Sequence, residues 1–453
     1  VERPRFGTDG IRGRANAELT AEFAVALGRA AARVLMAPAF IVGRDTRRSG
    51  PMLQAALSAG LSAGGADVID VGVLPTPGVA YLSQQRGVPA AMVSASHNHF
   101  EDNGIKLFGA GGMKLSPDAE AAIEREVDAV SAAFADAGHA GPVGAGVGRI
   151  SADPRALEGY RHHLRTSIDG RRLDGLRLVL DCANGAAAEV APGVFESLGA
   201  GVRCIACAPD GTNINDGCGS THPEALLDAV VQDGADLGLA FDGDADRLVA
   251  VDHTGALADG DVLLALFAVD LAARGDLAGN AVVVTVMTNL GFRLAMADRG
   301  IAVRETPVGD RHVLAALDAE GLVLGGEQSG HIVFRRRATT GDGILTGLML
   351  ADLVARSGRP LADLSAGLVE RMPQVLANVV VEDPGRLSGA ADVWEVVASL
   401  QEELGGSGRV VLRPSGTEPL VRVMVEARSE DQAAEAARRL CVAVEDALGP
   451  VPR

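Results

Sequence analysis

Three carboxylates at alternate positions, Asp242, Asp244 and Asp246, followed at once by Arg247, give the sharpest chemical signal in the chain. Carboxylates crowded after an apolar strand repel one another unless a cation is present. This spacing lets them converge on one hard metal ion with positions left for water or phosphate oxygen. The loop is not an EF-hand, whose sixth and twelfth positions would be Arg247 and His253. Nor is it the Asp-x-Asp-x-Thr/Val of aspartyl-phosphate phosphatases, because Asp246 takes the fifth position. A solvated acidic turn is the alternative. A second loop, Ser94-Ala95-Ser96-His97-Asn98 continuing to Lys106, offers Ser94 or Ser96 as a nucleophile among small neighbours. His97 beside Ser96 does not make a triad, whose base arrives through the fold, and a helix cap by Ser96 or Asn98 fits the same residues. A third, Gly325-Gly326-Glu327-Gln328-Ser329-Gly330-His331, suits bidentate recognition of adjacent sugar hydroxyls, with a plain Gly-rich turn as its alternative. In the fourth, Arg413, Ser415, Gly416 and Thr417, with Arg422 on the next strand, make an anion nest for a phosphate, or else a bare β-turn. No GxxxxGK[ST] is present, so a nucleotide P-loop is not indicated. The only lysines are Lys106 and Lys114. Where basic residues are otherwise arginine, a retained lysine points to an amine that exchanges a proton, with chance survival as the alternative.

The elements between these loops alternate strand and helix. Phe23, Leu27, Ala30, Ala31, Val34 and Leu35 recur at helical spacing behind Thr20 as N-cap. Strands are expected at Phe40–Val42, Val68–Val71, Ala90–Val93, Leu176–Asp181, Val202–Cys207, Leu237–Phe241 and Val282–Val286, with a helix opened by Pro51. This βα order predicts mainly parallel sheets covered by helices, with ligands beyond the carboxyl ends of strands. Ala137 to Gly148 is a Gly-rich linker or surface loop. The last part differs, with strands at Val375–Val381, Val410–Leu412 and Val421–Ala427 and helices at Asp392–Leu404 and Gln432–Leu448. The expected fold class is therefore α/β: three similar α/β domains (1–150, 151–252 and 253–368) and a smaller α+β domain (369–453) with an antiparallel sheet.

Composition limits the partners. The 453 residues carry 41 Lys+Arg against 59 Asp+Glu, a net charge of −18, which argues against nucleic acid or an anionic membrane surface. An anionic substrate must then meet locally concentrated arginine. Charged residues at 22% and hydrophobic ones at 47% describe a globular chain. Val1 to Phe6 shows no apolar run ending in a cleavage site, and Phe23–Val42 and Val262–Ala273 are broken by charges, so neither can span a bilayer. Cys204 and Cys207 form a CxxC without a second pair, which favours buried free thiols over a metal or redox site and a reducing compartment, most simply the cytoplasm.

Together with the opening Phe6-Gly7-Thr8-Asp9-Gly10-Ile11-Arg12-Gly13, these loops resemble the α-D-phosphohexomutase family, five motifs in family order from Phe6 to the C-terminal helix. Asn213 to Glu224 and Gly326 to His331 resemble bacterial members acting on glucosamine phosphates. The resemblance implies four domains around one cleft. It also implies a phosphoryl group on Ser96 that passes to glucosamine 6-phosphate, giving glucosamine 1,6-bisphosphate as intermediate or primer and glucosamine 1-phosphate as product. One Mg²⁺ would be held by Asp242, Asp244, Asp246 and a Ser96 phosphate oxygen. Arg12 and Arg247 would stabilise developing charge, Lys106 or His331 would exchange the proton, and Glu327 and Ser329 would bind sugar hydroxyls. Arg413, Ser415, Gly416, Thr417 and Arg422 would hold the non-reacting phosphate. A homodimer is a further expectation, as is a protein kinase, or self-phosphorylation, that first charges Ser96. Mannose or glucose phosphates handled by the same machinery, a serine-dependent phosphate-monoester hydrolase and a non-catalytic phosphosugar binder are the competing readings. One departure stands out: His99 occupies the place where the family usually has Pro after Ser-His-Asn. It would leave the loop more mobile or add a donor near the phosphate.

Overall fold

The alternating strands and helices build three mixed sheets and one antiparallel sheet, in chain order. The structure is a computed structural model and describes residues 3–7, 9–135, 141–415 and 418–449. The first sheet runs Phe6–Gly7, Gly10–Arg14, Asp102–Phe108, Ala90–Val93, Ala39–Arg44, Asp67–Val73, Ile150–Ala152. Ala39–Arg44 pairs in parallel with both Asp67–Val73 and Ala90–Val93. Thr20 caps Ala21–Leu35 as expected, its hydroxyl accepting from the Phe23 amide at 3.2 Å.

One element departs from the sequence reading, which extends the Ser94 loop to Lys106. The chain instead turns back before Asp102, and Asp102–Phe108 lies antiparallel to Ala90–Val93 with Ile105 opposite Val93. Asn103 to Phe108 is buried throughout, so the in–out alternation that marks a half-exposed strand is missing. Of the Gly-rich linker, residues 137–140 lie outside the described residues. From Gly141 the chain is mostly exposed and leads to the edge strand Ile150–Ala152.

The second sheet runs Leu257–Ala258, Leu248–Asp252, Leu237–Phe241, Arg177–Asp181, Gly201–Ile205, and the third Ala302–Thr306, Ala281–Thr285, Leu324–Gly326, Ile332–Phe334. In the C-terminal domain, Leu420–Glu426 sits between Gln374–Val380 and Arg409–Pro414, antiparallel to both. Cys204 and Cys207 are free thiols, half-buried rather than buried, because Gly201–Ile205 is an edge strand. No described helix is long and apolar enough to cross a membrane.

One apolar cluster runs through all three α/β domains, taking in Ile41 and Met92, then Leu180 and Phe241, then Leu264, Val284 and Leu348. The C-terminal domain has a separate core around Val421, Val425 and Leu440. Three loops at strand carboxyl ends, after Ala90–Val93, Leu237–Phe241 and Leu324–Gly326, thus sit on one shared core, while the fourth belongs to a domain packed on its own.

Candidate active site

Of the two candidate serines, the structure separates the roles. The Ser94 hydroxyl is buried, donates to Asp45 Oδ2 at 2.7 Å and accepts the Ser96 amide at 3.0 Å. Ser96 Oγ instead donates across the domain boundary to Asp242 Oδ2 at 2.6 Å, with His97 Nδ1 at 3.3 Å. The residues after Ser96 form turns, so the helix-cap alternative has no helix to cap. Ser96 has φ +53°, a left-handed conformation uncommon outside glycine. Its carbonyl is held from both sides, by Arg47 Nη2 of the first domain and by Asn215 Nδ2 of the second, each at 2.9 Å. Gly243 must be glycine here, since a Cβ would stand 2.6 Å from the Ser96 carbonyl oxygen.

Arg47 is fully buried. It pairs with Asp45 at 2.9 Å and donates to the carbonyls of Ser96, Asn98, His99 and Asp102. Burial raises the Asp45 carboxyl, with Arg47 opposing. His99 does not line the cleft: its carbonyl is tied to Arg47, and its exposed ring lies 4.7 Å from Phe100.

Asp242, Asp244 and Asp246 converge as expected, each buried and each with an oxygen within 4.8 Å of the others. Burial, then repulsion from Asp246 and Asp244, pushes the Asp242 carboxyl well above its ordinary range. Asp244 Oδ1 and Asp246 Oδ1 are buried without a hydrogen-bond partner among the described residues. Anionic oxygens left unpaired in the interior are costly, and a hard divalent cation is the group that would satisfy them, so the residues present fit a bound metal.

Lys106 reaches Asp244 Oδ2 and Asp9 Oδ2 at 2.9 Å and Asp246 Oδ2 at 3.3 Å. Burial works against its ammonium, but Asp244, Asp9 and Asp246 outweigh it and hold the pKa well above the usual lysine value. Lys114, the second lysine, bridges Asp9 at 2.9 Å and Asp310 at 2.7 Å. His331 stands 3.7 Å from Asp246 and 3.6 Å from Asp310. Burial opposes its charge, yet Asp246, with Asp310 and Glu327, raises its pKa to about 9. The Gly341 amide, 3.0 Å from His331 Nε2, pulls the other way, because only the neutral ring can accept there.

A cleft of about 430 Å³ opens above these groups, its wall including Arg5, Arg12, His97, Asp246, Arg247, Glu327 and His331. The wall carries three arginines, Arg5, Arg12 and Arg247, beside four carboxylates, Asp9, Asp246, Asp310 and Glu327, so arginine is gathered here in a chain of net charge −18 without a net positive lining. Arg12 donates to Asp9 Oδ2 at 2.6 Å, and the Arg247 amide donates to Asp242 Oδ1 at 3.2 Å. Burial lowers His97 to about 4, with Arg247 and Arg12 adding to it, so its ring is neutral at pH 7. Ser329 is exposed on its turn and does not line this cleft. Arg413 and Arg422 are register partners on neighbouring strands and line a separate hollow of about 190 Å³ with Met287 and Asn378. Burial, then Arg422, lowers the pKa of Arg413. Ser415 Oγ accepts from the Glu418 amide at 3.3 Å, and Glu418 pairs with Arg422 at 2.9 Å. Gly416 and Thr417, like Thr8 of the opening motif, lie outside the described residues.

Asp45, Arg47, Thr76, Asn215 and Asp310 carry no role in the sequence reading. The signal for Asp45 and Arg47 was present: Asp45-Thr46-Arg47-Arg48-Ser49 is a polar run directly after the strand Ala39–Arg44.

Models of the four domains of the phosphoglucomutase/phosphomannomutase family match the chain in order: domain I over residues 3–134, domain II over 158–255, domain III over 259–372 and the C-terminal domain over 376–442. The chain belongs to this family, the α-D-phosphohexomutases, enzymes that isomerise by moving a phosphoryl group. Its relatives include the phosphoglucosamine mutases of Streptomyces avermitilis, 52% identical with 98% of this chain and 99% of that protein covered, and of Desulforudis audaxviator, 53% identical with 94% of each covered. Among solved structures, a phosphoglucomutase/phosphomannomutase family protein of Burkholderia thailandensis superposes with a TM-score of 0.79 at 26% identity, covering 98% of both chains. The N-acetylphosphoglucosamine mutase of Aspergillus fumigatus, solved with GlcNAc-6P and magnesium, shares the fold with a TM-score of 0.70 at 18% identity over 99% of this chain and 96% of that one.

Proposed function

We propose that this chain is a phosphoglucosamine mutase that interconverts glucosamine 6-phosphate and glucosamine 1-phosphate through phosphorylated Ser96 and glucosamine 1,6-bisphosphate. The observation that carries the mechanism is Ser96 Oγ at 2.6 Å from Asp242, beside an acidic triad and under a cleft whose wall includes Arg5, Arg12 and Arg247. The choice of amino sugar rests on relatives 50 to 53% identical over nearly the whole chain.

In the forward direction the phosphoryl group leaves Ser96 Oγ for O1 of glucosamine 6-phosphate, whose hydroxyl gives up its proton. The bisphosphate turns over, and its 6-phosphoryl returns to Ser96, leaving glucosamine 1-phosphate. Asp242, Asp244, Asp246 and a phosphate oxygen on Ser96 would hold Mg²⁺, which would supply charge neutralisation when bound. Arg12 and Arg247 face the transferring group from the cleft wall, where charge-assisted hydrogen bonds stabilise the spread of negative charge. Lys106 or His331 exchanges the proton of the attacking hydroxyl; His331 is in the cleft wall, whereas Lys106 is buried against its three carboxylates. Glu327, with Ser329 on the same turn, recognises sugar hydroxyls. Arg413, Ser415, Gly416, Thr417 and Arg422 hold the phosphate that does not react. Free cysteines at all five positions suit the reducing cytoplasm.

A coupled assay for the 1-phosphate, with Mg²⁺ and a trace of hexose 1,6-bisphosphate, tests this on wild type and Ser96→Ala. Strong preference for glucosamine 6-phosphate over mannose and glucose 6-phosphates, lost in Ser96→Ala, is expected. Preference for mannose or glucose overturns the substrate, and phosphate release without any 1-phosphate makes the protein a hydrolase.

A further inference from the structure

Asp244 belongs to the second domain, yet its placement is set from the first. Thr76, at the start of the helix Thr76–Arg86 and flanked by Pro75 and Pro77, is buried and binds Asp244 twice. Its amide donates to the Asp244 carbonyl at 3.0 Å and its hydroxyl to Oδ2 at 2.5 Å. Lys106 donates to the same Oδ2 at 2.9 Å. Two donors on one oxygen fix the rotation of the carboxylate, and what remains is Oδ1, buried and without a hydrogen-bond partner.

The two donors differ in a way that matters. The Lys106 ammonium is shared among Asp244, Asp246 and Asp9, and its charge offsets the negative charge that attracts a cation. A hydroxyl orients a carboxylate without neutralising it. The prolines on either side restrict the backbone that presents it.

We propose that Thr76 is a positioning residue of the cation site: its hydroxyl, reaching across the domain boundary to Asp244 Oδ2, aims Oδ1 at the metal. The proposal rests on the reading of the triad as a metal site. It is tested with Mn²⁺ as probe, titrated into metal-free protein and followed by the electron paramagnetic resonance of the free ion. Groups that orient metal ligands typically change affinity by about 10- to 100-fold when removed. Thr76→Val keeps the shape and removes the hydroxyl, and is expected to weaken Mn²⁺ binding by about tenfold or more, while Thr76→Ser stays within about twofold of wild type. Wild-type affinity in Thr76→Val overturns the proposal. Equal losses in Thr76→Val and Thr76→Ser overturn it as well, since the hydroxyl that serine retains would then not be what sustains the affinity. Undiminished Mn²⁺ binding by Asp244→Asn overturns the metal reading itself.

Discussion

Ser96 sits in a left-handed backbone conformation that costs a residue with a Cβ about 1 kcal/mol or more, and side chains that touch no substrate hold it there. Arg47 is the chief of these, serving Asp45 and four loop carbonyls at once. A lysine has the charge but not the planar fork, so Arg47→Lys leaves several buried carbonyls short of a donor. We expect kcat to fall by tenfold or more with little change in KM, and the melting temperature to drop with it; wild-type kinetics would show that the loop holds itself. His99 has the opposite standing. Its N–H donates no hydrogen bond among the described residues, and its ring rests on Phe100 away from the cleft, so His99→Pro should leave kcat and KM within about twofold, by the usual small effect of surface changes. The same contrast explains what was legible. The three aspartates stand out by residue type and spacing after a strand, whereas Ser96 rather than Ser94, Arg247 and His331 are singled out by the family resemblance. Arg47 shows only as part of a polar run after a strand, while Asn215 and Thr76 act on a backbone carbonyl or a carboxylate of another domain, 119 and 168 positions away, which nothing local in the sequence announces.

Elements were legible where an amphipathic stripe or an unbroken apolar run marks them, as in Ala90–Val93 and Leu237–Phe241, both buried on every residue. Helix Ala21–Leu35 shows its apolar stripe and cap, whereas Asp102–Phe108, buried on both faces and carrying Asn103, Gly104 and Lys106, reads as a polar loop until Ala90–Val93 pairs with it. The strand makes Lys106 part of a rigid sheet rather than a mobile turn. A second case is the helix Gly343–Ser357, which follows the His331 turn. Asp342 caps it, accepting from the Leu345 amide at 2.9 Å, and takes the Tyr160 hydroxyl at 2.8 Å from another helix. Burial raises Asp342 to about 6, although Leu345 and Tyr160 pull it down. Between the unfolded carboxyl value near pH 4 and the folded value, the folded chain therefore binds more protons than the unfolded one. Asp342 thus contributes stability that is full below about pH 4 and lost as pH rises to about 6. Asp342→Asn keeps an acceptor for Leu345 and abolishes that titration. Its stability relative to wild type should improve by about 2 kcal/mol from pH 4 to pH 7 and then stay level, read as the difference between the two melting curves at each pH. A constant difference would mean that Asp342 is not titrating in this range.

At the scale of the whole molecule, the four-part organisation follows from the order of elements, but the division of the core does not. Three α/β domains share one apolar cluster, and the C-terminal domain keeps its own. Among the described residues, what joins that domain to the third is largely polar: Glu426, fully buried, accepts from Asn289 Nδ2 and the Leu290 amide at 3.0 Å, and Arg409 donates to the Thr288 carbonyl. A junction of hydrogen bonds rather than interleaved side chains lets a domain turn as a unit. The hollow holding Arg413 and Arg422 is separate from the 430 Å³ cleft, and on the proposed function a C-terminal domain that closes would bring the two onto one phosphosugar. Charge-assisted hydrogen bonds to phosphate are worth roughly 1.5 to 3 kcal/mol each, or about tenfold or more in affinity per arginine. Replacing both, Arg413→Ala with Arg422→Ala, should therefore raise KM for the sugar phosphate by about two orders of magnitude. Ser96 would still take up phosphate from hexose 1,6-bisphosphate at high concentration, because its loop and the acidic triad stand on the shared core. A domain that no longer closes also admits water, so inorganic phosphate released per 1-phosphate formed should rise. Raised KM with no rise in released phosphate would assign the arginines to binding alone and leave the exclusion of water to the cleft walls of the first three domains.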